Sequence, residues 1–121
     1  MAGRPISYQL VIRVARAVTV QVGALGPVHF AAGRYIYTGS AKRAIGARVA
    51  RHLAGARVLH WHIDHLLAAP GVRVISASLS ALPECRLNQA TPGAVPAPGF
   101  GASDCRAACG SHLKYQGRGR A

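Results

Sequence analysis

Acidic residues are nearly missing from this sequence. Asp64, Glu84 and Asp104 are its carboxylates, 3 against 15 lysines and arginines, for a formal net charge of +12. Such a field attracts polyanions by steering and counterion release, and nucleic acid is the commonest polyanion a soluble protein meets. A surface built to hold phosphate backbones should lack carboxylates. Two classes fit: an enzyme acting on nucleic acid, or an assembly protein that only neutralises phosphate. Each retained carboxylate is therefore a candidate metal ligand, acid or base, or structural partner. Aromatics are also scarce, at 6%, which favours backbone and shape recognition over stacking on single-stranded bases.

Other features are absent as well. No apolar run is long enough to span a membrane, and the N-terminus lacks the apolar segment of a signal peptide. Cys85, Cys105 and Cys109 do not make an extracellular disulfide framework. The expectation is a reduced protein of the cytoplasm, with association with the nucleoid an option, and with no membrane partner. One domain accounts for the 121 residues, half of which are apolar.

Along the chain, residues 6 to 14 alternate well enough for a strand, and Val18 to Val22 reads as a second. The short link Ala15-Arg16-Ala17 predicts that these two form a hairpin. Gly23, Gly26 and Pro27 mark a loop, and Arg34 to Thr38 is a third strand. Lys42 to Leu53 is the clearest helix, with Ile45, Val49 and Leu53 as its apolar stripe, Ser40 as cap and Gly55 as stop. A shorter helix is predicted over about Leu59 to Ala69, a strand over Val72 to Ser78, and a helix after Pro83 that places Glu84 in its first turn. The Pro- and Gly-rich stretch from Ala90 to Ala102 is a loop or an ordered crossing, and Ser111 to Tyr115 a last strand or turn. These readings give a single domain over 1–115 with a loose basic tail over 116–121. The class is α+β, a three-stranded antiparallel sheet flanked by helices, because the opening strands are too closely connected for helical crossovers.

Chemistry gathers in three places. Tyr35-Ile36-Tyr37-Thr38-Gly39-Ser40 leads into a basic helix on which Arg48 and His52 stand one turn apart. A tyrosine, an arginine and a metal-bound carboxylate can together deprotonate water and balance charge on a phosphate. The plainer role for Tyr35 or Tyr37 is packing, with the hydroxyl on a backbone group. His60-Trp61-His62-Ile63-Asp64 offers two histidines and a carboxylate, suited to a metal or to a buried hydrogen-bond network, of which the network is favoured. Cys105, Cys109 and His112, with Cys85 more distant, raise zinc, but the cysteine spacing is wide for a knuckle pair and free thiols are expected. Gly99-Phe100-Gly101 is too short for a nucleotide-binding glycine motif.

Taken in order, Tyr8-Gln9-Leu10, Tyr35 to Ala41, Arg48 with Arg51-His52, His60 to Asp64, Glu84-Cys85, Gly99-Phe100-Gly101 with Ser103-Asp104-Cys105, and Ser111-His112-Leu113 resemble the GIY-YIG nuclease superfamily. The resemblance is to a branch carrying a His-Trp-His-Ile-Asp segment and covers nearly the whole chain. It implies a phosphodiesterase centre using Mg²⁺, with Mn²⁺ as a substitute and zinc not expected. Tyr8 corresponds to the tyrosine of the first motif, Tyr37 and Gly39 to the second, Arg48 to the helix arginine, and His52 to a histidine one turn on. Glu84 corresponds to the metal-binding glutamate. Among binding or supporting residues the resemblance puts Gly39, Ser40, Lys42, Arg43 and Arg51. His60, His62 and Asp64 correspond to the branch's own segment. Ser7-Tyr8 lacks the usual glycine and isoleucine, and Cys105 to Cys109 is wider than the branch's cysteine pair. The implied activity is endonucleolytic hydrolysis in DNA repair or processing, with repair proteins as partners. The alternative is a non-catalytic DNA- or RNA-binding protein that keeps the fold.

Overall fold

The computed structural model describes residues 5–40, 45–54, 62–101 and 111–118. Strand β1 (Ser7–Val14) alternates buried and half-buried positions, the period-2 pattern of a strand with one face in the core. Tyr8, Leu10, Ile12 and Val14 point inward. The next strands are β2 (Val18–Gln21) and β3 (Pro27–Phe30), joined through a short 3-10 turn. Strand β4 (Gly33–Ser40) pairs antiparallel with β1 in the register Tyr8↔Gly39, Leu10↔Tyr37 and Ile12↔Tyr35. That register stacks every tyrosine of the two strands on one face.

Helices α1 (Ile45–Ala54) and α2 (His62–Leu67) follow, then β5 (Val72–Ser80), α3 (Glu84–Ala90) and β6 (Leu113–Tyr115). The main sheet is antiparallel throughout, in the order β5-β1-β4-β6. Among the described residues it thus has four strands, one more than predicted. The α+β class agrees with the sequence reading. The predicted β1–β2 hairpin does not form: β2 pairs with β3 in a separate ribbon. Both edges of β1 are already taken by β4 and β5, and the turn at Gly23 to Gly26 lets β2 fold onto the segment beginning at Pro27 instead. Gly26, with φ of 77°, supplies a backbone conformation that residues with a Cβ rarely adopt.

One face of the sheet carries the core. Phe30 meets Tyr35 and Phe100 edge-on, at centroid distances of 5.9 and 6.0 Å, an arrangement aromatic quadrupoles favour. Ile63 and Leu66 of α2 are wholly buried. The other face carries Gln9 and Thr38, whose side chains bond each other, and Gln9 Nε2 also donates to Thr91 Oγ1 at 2.7 Å, just past α3. Lys114 Nζ donates to the carbonyls of Asn88 and Thr91, placing a cation where a helix end leaves acceptors unfilled.

Two further expectations are corrected. Leu53 is 56% exposed, whereas His52 is buried; the inward face of α1 is Ile45, Arg48, Val49 and His52, so a histidine stands where the apolar stripe was read. The boundary of the tail also moves. Gln116 N–H donates to Arg34 O, and Arg34 N–H to Gly117 O, so residues 116 and 117 run on along β4.

Candidate functional site

Tyr8 is 2% exposed, and its hydroxyl lies 2.9 Å from His52 Nε2. The sheet brings the phenol there because Gly39, its partner across β1 and β4, has no side chain: a Cβ at Gly39 would overlap the Tyr8 ring carbons and hydroxyl. Helix α1 supplies His52 from above. Tyr37, two residues before Gly39, packs with ring centroids 6.3 Å from Tyr8 and 6.5 Å from His52. The spacing of Arg48 and His52, read as one helical turn, puts both on the inward face of α1.

Behind His52 stands Asp64, with Oδ1 at 3.8 Å from Nδ1. Arg51 grips the same carboxylate with both terminal nitrogens, at 3.0 and 3.1 Å. This is the two-pronged geometry that suits guanidinium to carboxylate. Burial lowers the His52 pKa, with Asp64 opposing the shift and Arg51 and Arg48 adding to it. A neutral His52 with the carboxylate near Nδ1 favours the proton on Nδ1. Nε2 is then the acceptor, and Tyr8 donates to it.

Burial pushes the Tyr8 hydroxyl up to about 12; Arg48 pulls down, while Glu84 and Asp64 push up. Tyr37 is raised well above the ordinary phenol value by burial first, then by Tyr8, Glu84 and Asp64, with Arg48 opposing. Arg48 is itself aimed by a 2.7 Å bond from its guanidinium to Ser40 O.

The site extends past Tyr37. Gly101, at φ of 67°, lies against both the Tyr37 ring and His112, and its N–H donates to His62 Nδ1 at 2.8 Å. His62 is thus tied to the Phe100–Gly101 loop, and its pKa is lowered by burial and by His65. Beyond Gly101, His112 Nδ1 is 3.5 Å from Glu84 Oε1 and Nε2 is 3.9 Å from Cys85 Sγ.

Of the sequence candidates, Tyr8, Tyr37, Gly39, Arg48, Arg51, His52 and Asp64 come together in one cluster, with Glu84 at its margin and Ser40 contributing a carbonyl. His62 and Asp64 do not share a partner: helix α2 turns one toward Gly101 and the other toward His52 and Arg51. Lys42, Arg43, His60, Cys105 and Cys109 lie outside the described residues. Sequence reasoning set Gly99-Phe100-Gly101 among the segments of the resemblance without giving Gly101 a role, and missed the contact of His112 with Glu84. The triplet Gly99-Phe100-Gly101 held the signal for the first, since paired glycines around one aromatic mark a place where backbone must pass closely. Nothing in local spacing pointed to the second.

Among the described residues, the clefts walled by Pro92, Gly93, Tyr115 and Gln116, and by Leu25, His29, Pro96 and Pro98, hold none of these side chains. No helix among the described residues is long and apolar enough to cross a membrane.

Fold and site together define an α+β domain built around a buried Tyr–His–Asp–Arg chain. The chain belongs to the family described as Domain of unknown function DUF123, which it matches over residues 7–120. No curated protein and no solved structure matches it.

Proposed function

We propose that this protein is a divalent-metal-dependent endonuclease of the GIY-YIG kind, hydrolysing phosphodiester bonds in nucleic acid, with DNA repair or processing as its setting. The observation that carries the reading is the 2.9 Å bond between Tyr8 and His52, backed by Asp64 and its grip on Arg51. The net charge of +12 supports a polyanionic substrate.

A phenol raised to about 12 holds its proton at neutral pH, so a standing tyrosinate is not the base. A relay is. Water gives its proton to Tyr8 Oη as Tyr8 gives its own to His52 Nε2, and the resulting imidazolium faces Asp64. The water oxygen then attacks phosphorus, and the P–O bond on the opposite side breaks, its leaving oxygen taking a proton from solvent while the imidazolium returns its own to bulk water. Arg48 balances charge on the phosphate, Arg51 fixes Asp64, and Tyr37 packs beside the phenol and holds its ring in place. Glu84 is the carboxylate that would hold the metal. A divalent ion bound there, Mg²⁺ or Mn²⁺ in the sequence reading, supplies charge neutralisation at the phosphate, and one protein carboxylate with water and phosphate oxygens suffices for Mg²⁺.

The test is cleavage of labelled duplex, single-stranded, flap and branched DNA and RNA with Mg²⁺ or Mn²⁺ against EDTA. Metal-dependent cutting by the wild type, lost in Glu84→Ala and Tyr8→Phe with binding retained, supports the enzyme. Tight binding with no cutting of any substrate leaves the second reading, a nucleic-acid-binding protein that keeps the fold.

A further inference from the structure

We infer that Glu84, Cys85 and His112 form a site for a thiophilic divalent ion of the Zn²⁺ class. The inference rests on the nuclease reading only for its link to cleavage; the binding itself rests on the three side chains.

One donor atom from each residue lies within 4.8 Å of the other two. His112 Nδ1 lies 3.5 Å from Glu84 Oε1, long for a direct hydrogen bond, and Nε2 lies 3.9 Å from Cys85 Sγ, within reach of a weak sulfur hydrogen bond. These contacts involve the two different nitrogens of the ring, of which an ion takes one. With one donor per residue the set spans up to 4.8 Å, against roughly 3.3–3.7 Å between ligand atoms bonded to tetrahedral zinc at about 2.0–2.3 Å, so the site is open and would close on the ion. Binding one ion would draw the side chains of Glu84 and Cys85, both on α3, toward a single nitrogen of His112.

Placement favours binding as well. His112 is 1% exposed and fixed at both backbone groups: its N–H donates to Phe100 O at 2.8 Å, and its carbonyl accepts from Thr38 N–H at 2.9 Å. The imidazole is therefore pre-positioned, which lowers the ordering cost of ligation. Glu84 and Cys85 are half-buried, so the ion has a way in from solvent. A thiolate, an imidazole and one carboxylate make a borderline-soft set, suited to Zn²⁺ or Co²⁺ and poorly matched to Mg²⁺, which seeks oxygen in an octahedron. Three protein ligands leave a position for water or a phosphate oxygen, as in catalytic zinc sites. In the nuclease reading, the ion at Glu84 is then a Zn²⁺-class ion rather than Mg²⁺.

Titration of the full chain with Co²⁺ tests this without any activity measurement. One equivalent should produce the thiolate-to-cobalt charge-transfer band in the near ultraviolet. That band should persist in Cys105→Ser/Cys109→Ser, where Cys85 is the remaining thiol, and vanish in Cys85→Ser. Competition with Zn²⁺ should show affinity weakened at least about tenfold in Glu84→Gln and His112→Gln. Circular dichroism of Cys85→Ser, a near-isosteric change, confirms that the variant is folded. No band in the wild type, or a band of full strength in Cys85→Ser, overturns the site. The nuclease reading fails separately: if the band follows this pattern and no metal supports cutting, the ion site stands and the enzyme does not. If Mg²⁺ supports cutting that needs Glu84 while cobalt never meets sulfur, the reverse holds.

Discussion

At Gly39 the chain has no room for a side chain, and that lack of room is what seats Tyr8. An added Cβ would sit well inside contact distance of Tyr8 Cζ and Oη, and the strand register leaves the ring nowhere else to go. Gly39→Ala should therefore destabilise the fold by about 1–3 kcal/mol, the usual range for overpacking, read as a lower urea midpoint with unchanged slope. Gly46, on the exposed side of α1 with nothing within 4 Å of an added Cβ, is the control. There alanine should stabilise by up to about 1 kcal/mol through helix propensity. Tyr8→Phe removes one buried hydrogen bond and should cost roughly 0.5–1.5 kcal/mol; in the nuclease reading it also slows cleavage about a hundredfold or more, leaving duplex affinity unchanged. The histidine has its own signature. Because the folded pKa of His52 is lowered, the unfolded chain binds the extra proton first, so stability is full above about 6.5 and declines as pH falls toward the folded value. His62 shifts the same way. A denaturation series in pH should show that decline, and His52→Gln should flatten part of it; a decline of equal steepness in the variant would assign the effect elsewhere.

Between elements, the tie that matters is Arg51 to Asp64, which joins α1 to α2. Asp64 has a side chain 1% exposed and Arg51 one 32% exposed, so the pair is shielded on one side only. Asp64→Asn keeps the shape but removes the charge facing both Arg51 and His52, and should cost about 1–3 kcal/mol. It should also lower the His52 pKa further, since Asp64 is the one group raising it, a shift that NMR titration of the imidazole would register. An unchanged His52 titration would remove Asp64 from the relay. How far sequence could see this follows from the reach of each interaction. Strands β1 and β4 were legible because their alternation is local, and Arg48 with His52 because one helical turn is local. The partner of β2 was not, since two candidate neighbours follow it and precede it with similar links, and the edges of β1 are settled by β5, far along the chain. Leu53 was misread because counting apolar residues every few positions cannot foresee that buried His52 is held by a phenol and a carboxylate. Gln116 and Gly117 read as tail because small polar residues carry no pattern, whereas their backbone bonds to Arg34 do the holding.

At the scale of the whole molecule, charge decides what can approach and the buried cluster decides what can happen there. A chain at +12 binding a duplex releases condensed counterions, and each phosphate neutralised contributes about 0.9 to the slope of log affinity against log salt. With about five such contacts, affinity for a duplex should fall on the order of a hundredfold or more between roughly 50 and 200 mM salt. Scrambling the sequence of that duplex should change little, because backbone contact carries no sequence information. Electrophoretic or fluorescence titrations at several salt concentrations check both. The contribution of the cluster is separable by the same measurement: Tyr8 and Asp64 are buried and touch no phosphate in this scheme, so Tyr8→Phe should reproduce the wild-type salt slope while losing turnover. A flat salt response would mean that the positive charge serves some other polyanion or a protein partner. A steep response with turnover intact in Tyr8→Phe would keep the nucleic acid and discard the relay, since binding and chemistry would then have been assigned to the wrong parts of the same surface.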